Sequence, residues 1–120
     1  QKMSKIMIVD DAAFMRLTIK NMLKKSPHVV IGEAENGRAA IERYKELGPD
    51  IVTMDITMPE LDGLSALKEI IRMDPGARVI MVSAMGQETM VREAIVSGAK
   101  GFIVKPFKEE GILSAIDRLA

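Results

Sequence analysis

Apolar residues follow two alternating rhythms along this chain. Short β-branched runs stand at residues 6–9, 29–31, 51–54, 79–82 and 102–104. Each is apolar at successive positions, the pattern of a strand covered on both faces. Between them the apolar positions recur with helical period: Met15, Ile19, Met22 and Leu23; Ile41, Tyr44 and Leu47; Leu64, Leu67 and Ile71; Met90, Ala94 and Ile95; Ile112, Ala115, Ile116 and Leu119. The breaks fall where helices should stop, at Ser26-Pro27, Gly48-Pro49, Asp74-Pro75-Gly76 and Ser97-Gly98. Gly98 is placed to be a left-handed cap. Five strands alternating with five helices predict a parallel sheet covered on both faces. Right-handed crossovers make it a doubly wound α/β sandwich, and this length suits the flavodoxin-like order 2-1-3-4-5.

The ends of the predicted strands carry the chemistry. The first run stops at Asp10 and Asp11, the third at Asp55, the fourth at Ser83 and the fifth at Lys105. In a parallel sheet these ends share one edge, the edge at which open α/β sheets bind ligands. Taken singly, each residue has an ordinary reading. Asp10 or Asp11 could cap the first helix, Asp55 could be a loop carboxylate, Ser83 a turn residue and Lys105 a solvated side chain. Their coincidence at four strand ends points to one crevice.

Two carboxylates about 4 Å apart repel by roughly 4 kcal/mol at an effective dielectric of 20. Three of them call for a protonated member or a cation. All-oxygen ligands with open positions suit Mg²⁺, which keeps waters that a phosphate group can displace. A carboxylate can also attack phosphorus to form an acyl phosphate. Asp55 stands apart from the adjacent pair, at the end of a central strand, and is the nucleophile candidate. Lys105 would neutralise a phosphoryl oxygen.

Composition narrows the field mainly by exclusion. The 120 residues suit a single domain, 48% are apolar, 28% are charged, and the formal net charge is zero. A nucleic-acid module held by bulk charge would show a basic excess. With no cysteine there is no disulfide framework or thiolate metal site, which fits a cytoplasmic location. No apolar stretch approaches the ~20 residues of a membrane span. Met3 reads as the native start, with Gln1-Lys2 as an added remnant. The ten methionines read mainly as core filler. His28, alone at the start of the second strand, is expected to be exposed and is given no role.

These residues together resemble the receiver domain of two-component response regulators. The resemblance spans essentially the whole chain, residues 1–120. It rests on "IVDD" (8–11), "DIVTMDITMPELDG" (50–63), "VIMVSA" (79–84) and "GAKGFIVKPF" (98–107), in the family's order and spacing. The stretch "SAMGQETMVREAI" (83–95) is similar to single-domain chemotaxis regulators of the CheY type.

The resemblance implies that Asp55 takes a phosphoryl group from a histidine kinase (CheA-like). It implies that Asp10, Asp11, Asp55 and the backbone carbonyl of Thr57 hold Mg²⁺, and that Lys105 binds the phosphoryl group. Ser83 would move to a phosphoryl oxygen, and Ala84 would leave room and donate its N–H. Lys105-Pro106 would be a cis peptide. Phe102 would be the switch aromatic, able to rotate inward but without the hydroxyl of the enteric proteins' Tyr; its alternative is a plain core ring. Thr57 and Met85 depart from the charged or amide residues often found there.

The expected output is a population shift read at the fourth helix, fifth strand and fifth helix (residues 90–97, 100–104 and 108–120). The partner there would be a flagellar motor switch protein. No conventional enzyme activity is expected beyond self-catalysed phosphorylation and dephosphorylation. A stand-alone phosphorelay carrier, or a receiver cut from a DNA-binding regulator, is the alternative within the family, since the chain ends with the fifth helix. Outside it, a flavin carrier is disfavoured by the two acids of "DDAAF". A phosphohydrolase is disfavoured by Ile56 and Thr57 where a second Asp would stand, and a receiver without phosphorylation by the intact acidic set.

Overall fold

The computed structural model describes residues 3–120; Gln1 and Lys2, and with them the proposed remnant, lie outside the described residues. The elements run β1 (Lys5–Val9), α1 (Ala13–Leu23), β2 (Val29–Ala34), α2 (Gly37–Leu47), β3 (Ile51–Asp55), α3 (Gly63–Met73), β4 (Val79–Ser83), α4 (Glu88–Val96), β5 (Gly101–Val104) and α5 (Glu109–Leu119). The strands form one parallel sheet in the order β2-β1-β3-β4-β5.

Strand alternation divides the core in two. Met7, Val9, Val52, Met54, Val79 and Met81 face one side, where Ala40 of α2, Leu67 and Ile70 of α3, and Val91 and Ala94 of α4 cover them. Ile6, Ile8, Ile51, Ile80, Val82 and Ile103 face the other, under Ile19 and Leu23 of α1 and Ile112 and Ile116 of α5. Because both faces are covered, β1, β3 and β4 are apolar at nearly all successive positions, and alternation is lost from the sequence.

Three local expectations need correction. β2 does not end at Ile31 but continues through Gly32 and Glu33 to Ala34. It is an edge strand, so Gly32 can receive the Leu47 side chain closely, and Glu33 can turn outward to Arg16 and Lys20 at 2.9 and 2.8 Å. On α4 the buried positions are Val91 and Ala94, whereas Met90 and Ile95 are each 42% exposed. His28 is buried, not exposed. Its Nδ1 accepts the Ser4 N–H at 3.1 Å, which leaves Nε2 to donate to Asp117 at 2.8 Å. It ties the start of β1 to the end of α5. The cap at Gly98 is as expected, with φ of 116°. Of the methionines, Met7, Met54, Met58 and Met81 are buried in the core, whereas Met3, Met85 and Met90 are exposed.

Thr53 is a misfit in the core floor. It lies between Ile8 and Ile80 in the ladder, fully buried, and its hydroxyl has no partner. An unpaired buried hydroxyl costs about 1–3 kcal/mol. Thr53→Val keeps the shape and should raise the unfolding free energy by roughly 1 kcal/mol in urea titration; a loss of stability would mean the hydroxyl is satisfied.

Candidate functional site

Main-chain ties fix the loaded edge of the sheet. Asp10 N–H donates to the Ala34 carbonyl at 3.1 Å, Ile56 N–H to Val82 at 3.1 Å and Lys105 N–H to Ser83 at 2.8 Å. The ladders therefore hold β1, β3, β4 and β5 in register up to the residues that carry the chemistry. Beyond β3, α3 begins hard against the strand. A Cβ on Gly63 would sit 1.9 Å from the Asp55 carbonyl oxygen, so only glycine lets the helix start there. Asp62 caps that helix by accepting the Ser65 N–H at 2.7 Å.

One carboxylate oxygen from each of Asp10, Asp11 and Asp55 lies within 4.8 Å of the others. Asp10 and Asp55 are buried, and Asp11 is exposed. Asp10 does not cap α1. Its Oδ1 accepts the Ala12 N–H at 2.9 Å in a tight local turn, and the cap residue Ala12 has no side-chain cap bond. Lys105 reaches across from β5, its Nζ donating to Asp10 Oδ2 at 3.3 Å and Asp55 Oδ2 at 3.4 Å. The Lys105-Pro106 peptide is cis.

At an effective dielectric of 20, each carboxylate pair repels by about 3–4 kcal/mol and each lysine contact attracts by about 5 kcal/mol. Three repulsions and two attractions nearly cancel, so burial decides. Burial, then the Asp10 charge, push the Asp55 carboxyl above the usual range, against the pull of Lys105, and Asp11 adds to the rise. Lys105 is drawn down by burial, but the charges of Asp55 and Asp10 outweigh this and leave it raised. Three ionised acids and one lysine leave two negative charges. The all-oxygen donor set and this charge fit a divalent cation.

Ser83 is buried, and its Oγ makes only a long contact, 3.5 Å, to the Ile103 carbonyl. Ala84 follows it at the surface. Phe102 is half exposed on β5, so its reading as a plain core ring does not hold. It lies with Val91, Ile95 and Val104 along an apolar groove between α4 and β5 that reaches Ser83 and Ala84. Thr57 is exposed beside Asp55, its hydroxyl accepting from Gln87 Nε2 at 2.8 Å.

Two participants escaped the sequence reading. Arg16 donates to the Asp10 carbonyl and to Glu33, bracing the end of β1. Gln87 bridges two loops at the site. Arg16 could have been suspected from its place on the first helix, one turn beyond the acids; a single glutamine in a loop carries no signal.

The model of the response regulator receiver domain matches residues 6–117. The chain belongs to the response regulator receiver family. The receiver is 60% identical over 114 residues to the chemotaxis protein CheY of Bacillus subtilis (strain 168), covering 95% of each chain. It is 56% identical over 116 residues to the chemotaxis protein CheY of Thermotoga maritima, covering 97% of each. Among solved structures it superposes with a TM-score of 0.91 on a chain of the CheX–CheY–BeF3–Mg²⁺ complex from Borrelia burgdorferi, at 38% identity, covering 95% of this chain and 87% of that one. The doubly wound fold and its strand order agree with these neighbours.

The charge imbalance has a pH signature. Asp55 titrates higher in the folded receiver than in the unfolded chain, so its ionised form opposes folding. That penalty is absent below the unfolded value near 4 and complete above the folded one. Without divalent cation, Asp55→Asn should stabilise the protein at pH 7–8, and the gain should vanish as pH falls to about 4. Urea unfolding across this range checks it; an Asn variant less stable at pH 7 contradicts it.

Proposed function

We propose that this receiver accepts a phosphoryl group on Asp55 from the phosphohistidine of a CheA-like histidine kinase, and that the phosphorylated form acts on a flagellar motor switch. The single observation that carries this reading is the convergence of Asp10, Asp11, Asp55 and Lys105 at one sheet edge. Names support the chemotaxis part: the relatives above are called chemotaxis proteins, and this chain matches them over at least 95% of their length. A neighbour solved with BeF3 and Mg²⁺ supports the phosphoryl part. The whole of residues 1–120 would serve as one receiver domain, working in the cytoplasm; among the described residues no helix is long and apolar enough to cross a membrane.

In the transfer, an Asp55 carboxylate oxygen forms a bond to phosphorus as the P–N bond of the donor imidazole breaks. The imidazole leaves with the bonding pair and takes up a proton. Burial raises the basicity of Asp55 and strips it of water, which favours attack. Asp10, Asp11, Asp55 and the Thr57 carbonyl would hold Mg²⁺, which supplies charge neutralisation for the incoming phosphoryl oxygens. Lys105, within hydrogen-bonding range of Asp55, turns to one phosphoryl oxygen. Ser83 gives up its long contact to Ile103 for another. The chain would catalyse only its own phosphorylation and dephosphorylation.

Ser83 moving towards Asp55 vacates the inner end of the groove beside Phe102, and the ring turns into that space. The face formed by α4, β5 and α5 then changes shape for its partner. A stand-alone phosphorelay carrier would use the same pocket without a motor partner.

With Mg²⁺ and acetyl phosphate, intact mass should rise by one phosphoryl group, and Asp55→Asn should abolish the gain; modification surviving in that variant would place the nucleophile elsewhere. Asp10→Ala should weaken Mg²⁺ binding at least tenfold, the scale of one lost charge-assisted contact, measured by titration. Phe102→Ala should leave phosphorylation intact while weakening binding to a motor-switch peptide by about tenfold, as for loss of an interface aromatic. Equal binding by both proteins would remove Phe102 from the switch.

A further inference from the structure

The backbone N–H of Ala84 is already engaged in this structure. Gln87 Oε1 accepts it at 2.6 Å, while Gln87 Nε2 donates to Thr57 Oγ1 at 2.8 Å. One carboxamide thus joins the two loops that flank Asp55, the loop after β3 and the loop after β4. The fold-back that makes this possible runs through Gly86, whose φ of 89° favours glycine. Nothing stands within 4 Å of a Cβ built there, so backbone conformation, not space, selects the glycine.

We propose that Gln87 is a latch on the phosphoryl pocket, a positioning residue that occupies the Ala84 N–H until a phosphoryl oxygen displaces it; this rests on the phosphoryl-acceptor reading of Asp55. A backbone amide has one hydrogen to donate. Gln87 Oε1 and a phosphoryl oxygen compete for it, so the latched and phosphoryl-bound states exclude one another at this atom. The phosphoryl oxygen carries charge and forms the stronger bond, so it wins when present. In its absence the latch keeps the N–H satisfied and the loops together.

Residue type matters at both ends. Glutamine offers an acceptor to Ala84 and a donor to Thr57 from one side chain, which glutamate cannot do when ionised. A glutamate would also add negative charge beside three acids. Release has a route outward, because Gln87 is the residue from which α4 starts. Opening the latch frees the first turn of α4 on the groove that holds Phe102.

The test compares two affinities in the full chain: Mg²⁺ alone, and beryllofluoride in saturating Mg²⁺ as the phosphoryl mimic. Gln87→Ala should bind beryllofluoride about three- to tenfold tighter, the size of one removed competing hydrogen bond, with Mg²⁺ affinity unchanged. Thr57→Val, which cuts only the far end, should tighten beryllofluoride binding less, and the double variant should equal Gln87→Ala. Gln87→Glu should bind no tighter than the wild type. Hydrogen exchange at the Ala84 amide in the metal-free protein should quicken in Gln87→Ala. Beryllofluoride affinity unchanged or weakened in Gln87→Ala, with Mg²⁺ affinity intact, would overturn the latch. Failure of the wild type itself to take beryllofluoride in an Asp55-dependent way would instead remove the phosphoryl-acceptor reading, and the latch with it.

Discussion

Two uncompensated negative charges at the end of a covered sheet constrain the rest of this structure. Asp10 and Asp55 are buried and Asp11 stands beside them, with Lys105 their nearest cation. Such a cluster persists only where surrounding structure overrides its own preference to disperse. Here the override is the strand ladder, whose main-chain bonds run up to Asp10, Ile56 and Lys105, together with the two apolar layers beneath. Arg16 adds a brace by binding the Asp10 carbonyl, and it is itself held by Glu33 on the edge strand. Lys20 also binds Glu33 and, with Arg16, lowers its pKa. The helix carrying Arg16 and Lys20 is thereby fixed over β2. Stability is spent on holding an acidic pocket whose donor set fits a divalent cation, a common compromise at functional sites.

The sequence makes the central strands legible because they are buried on both faces and apolar at nearly every position, Thr53 excepted. The same rule fails at the edge. β2 has solvent on one side, so Gly32 and Glu33 are tolerated, and a reading based on continuous apolarity stops three residues early. α4 fails for a related reason. Its apolar residues number more than its buried face can hold, and periodicity alone does not tell Met90 and Ile95, which stay exposed, from Val91, which does not. His28 misleads because a lone histidine at the start of a strand reads as surface, whereas both ring nitrogens find partners distant in sequence, Ser4 and Asp117.

The site itself was legible because strand ends converge by topology, and topology follows from the order of elements. Asp11 follows Asp10 directly, and Asp10, Asp55, Ser83 and Lys105 are each the last residue of a strand or adjacent to it. Gln87 is not, and its partners are a backbone N–H and a hydroxyl, groups that leave no mark in a sequence. The balance of forces was also less legible than the residues. Repulsion among three acids would be decisive alone, yet Lys105 approaches closely enough to offset most of it, and burial becomes the larger influence on Asp55.

On the proposed function, the same site would act as a switch rather than a permanent shape. Ser83 has only a weak hold on the Ile103 carbonyl, at 3.5 Å, and Phe102 remains half exposed next to an apolar groove that could shelter it. Neither arrangement is deeply favoured, so the alternative can lie a few kcal/mol away and be sampled as a minor state. Reversing a 1:99 ratio requires about 5.5 kcal/mol. A doubly charged phosphoryl group contributes nothing to that reversal unless its contacts differ between the two arrangements. Lys105 is within reach of Asp55 in this arrangement already, so its attraction is largely common to both. Under the proposed function, the discriminating contacts would be those made only after movement: the Ser83 hydroxyl, and the Ala84 N–H once released by Gln87. Each replaces a weaker neutral hydrogen bond with a charge-assisted one worth roughly 1.5–3 kcal/mol. Net of the neutral bonds they replace, two such exchanges would supply roughly 2–3 kcal/mol, about half of a full reversal, and burial of the ring is already counted in the starting ratio of the two arrangements.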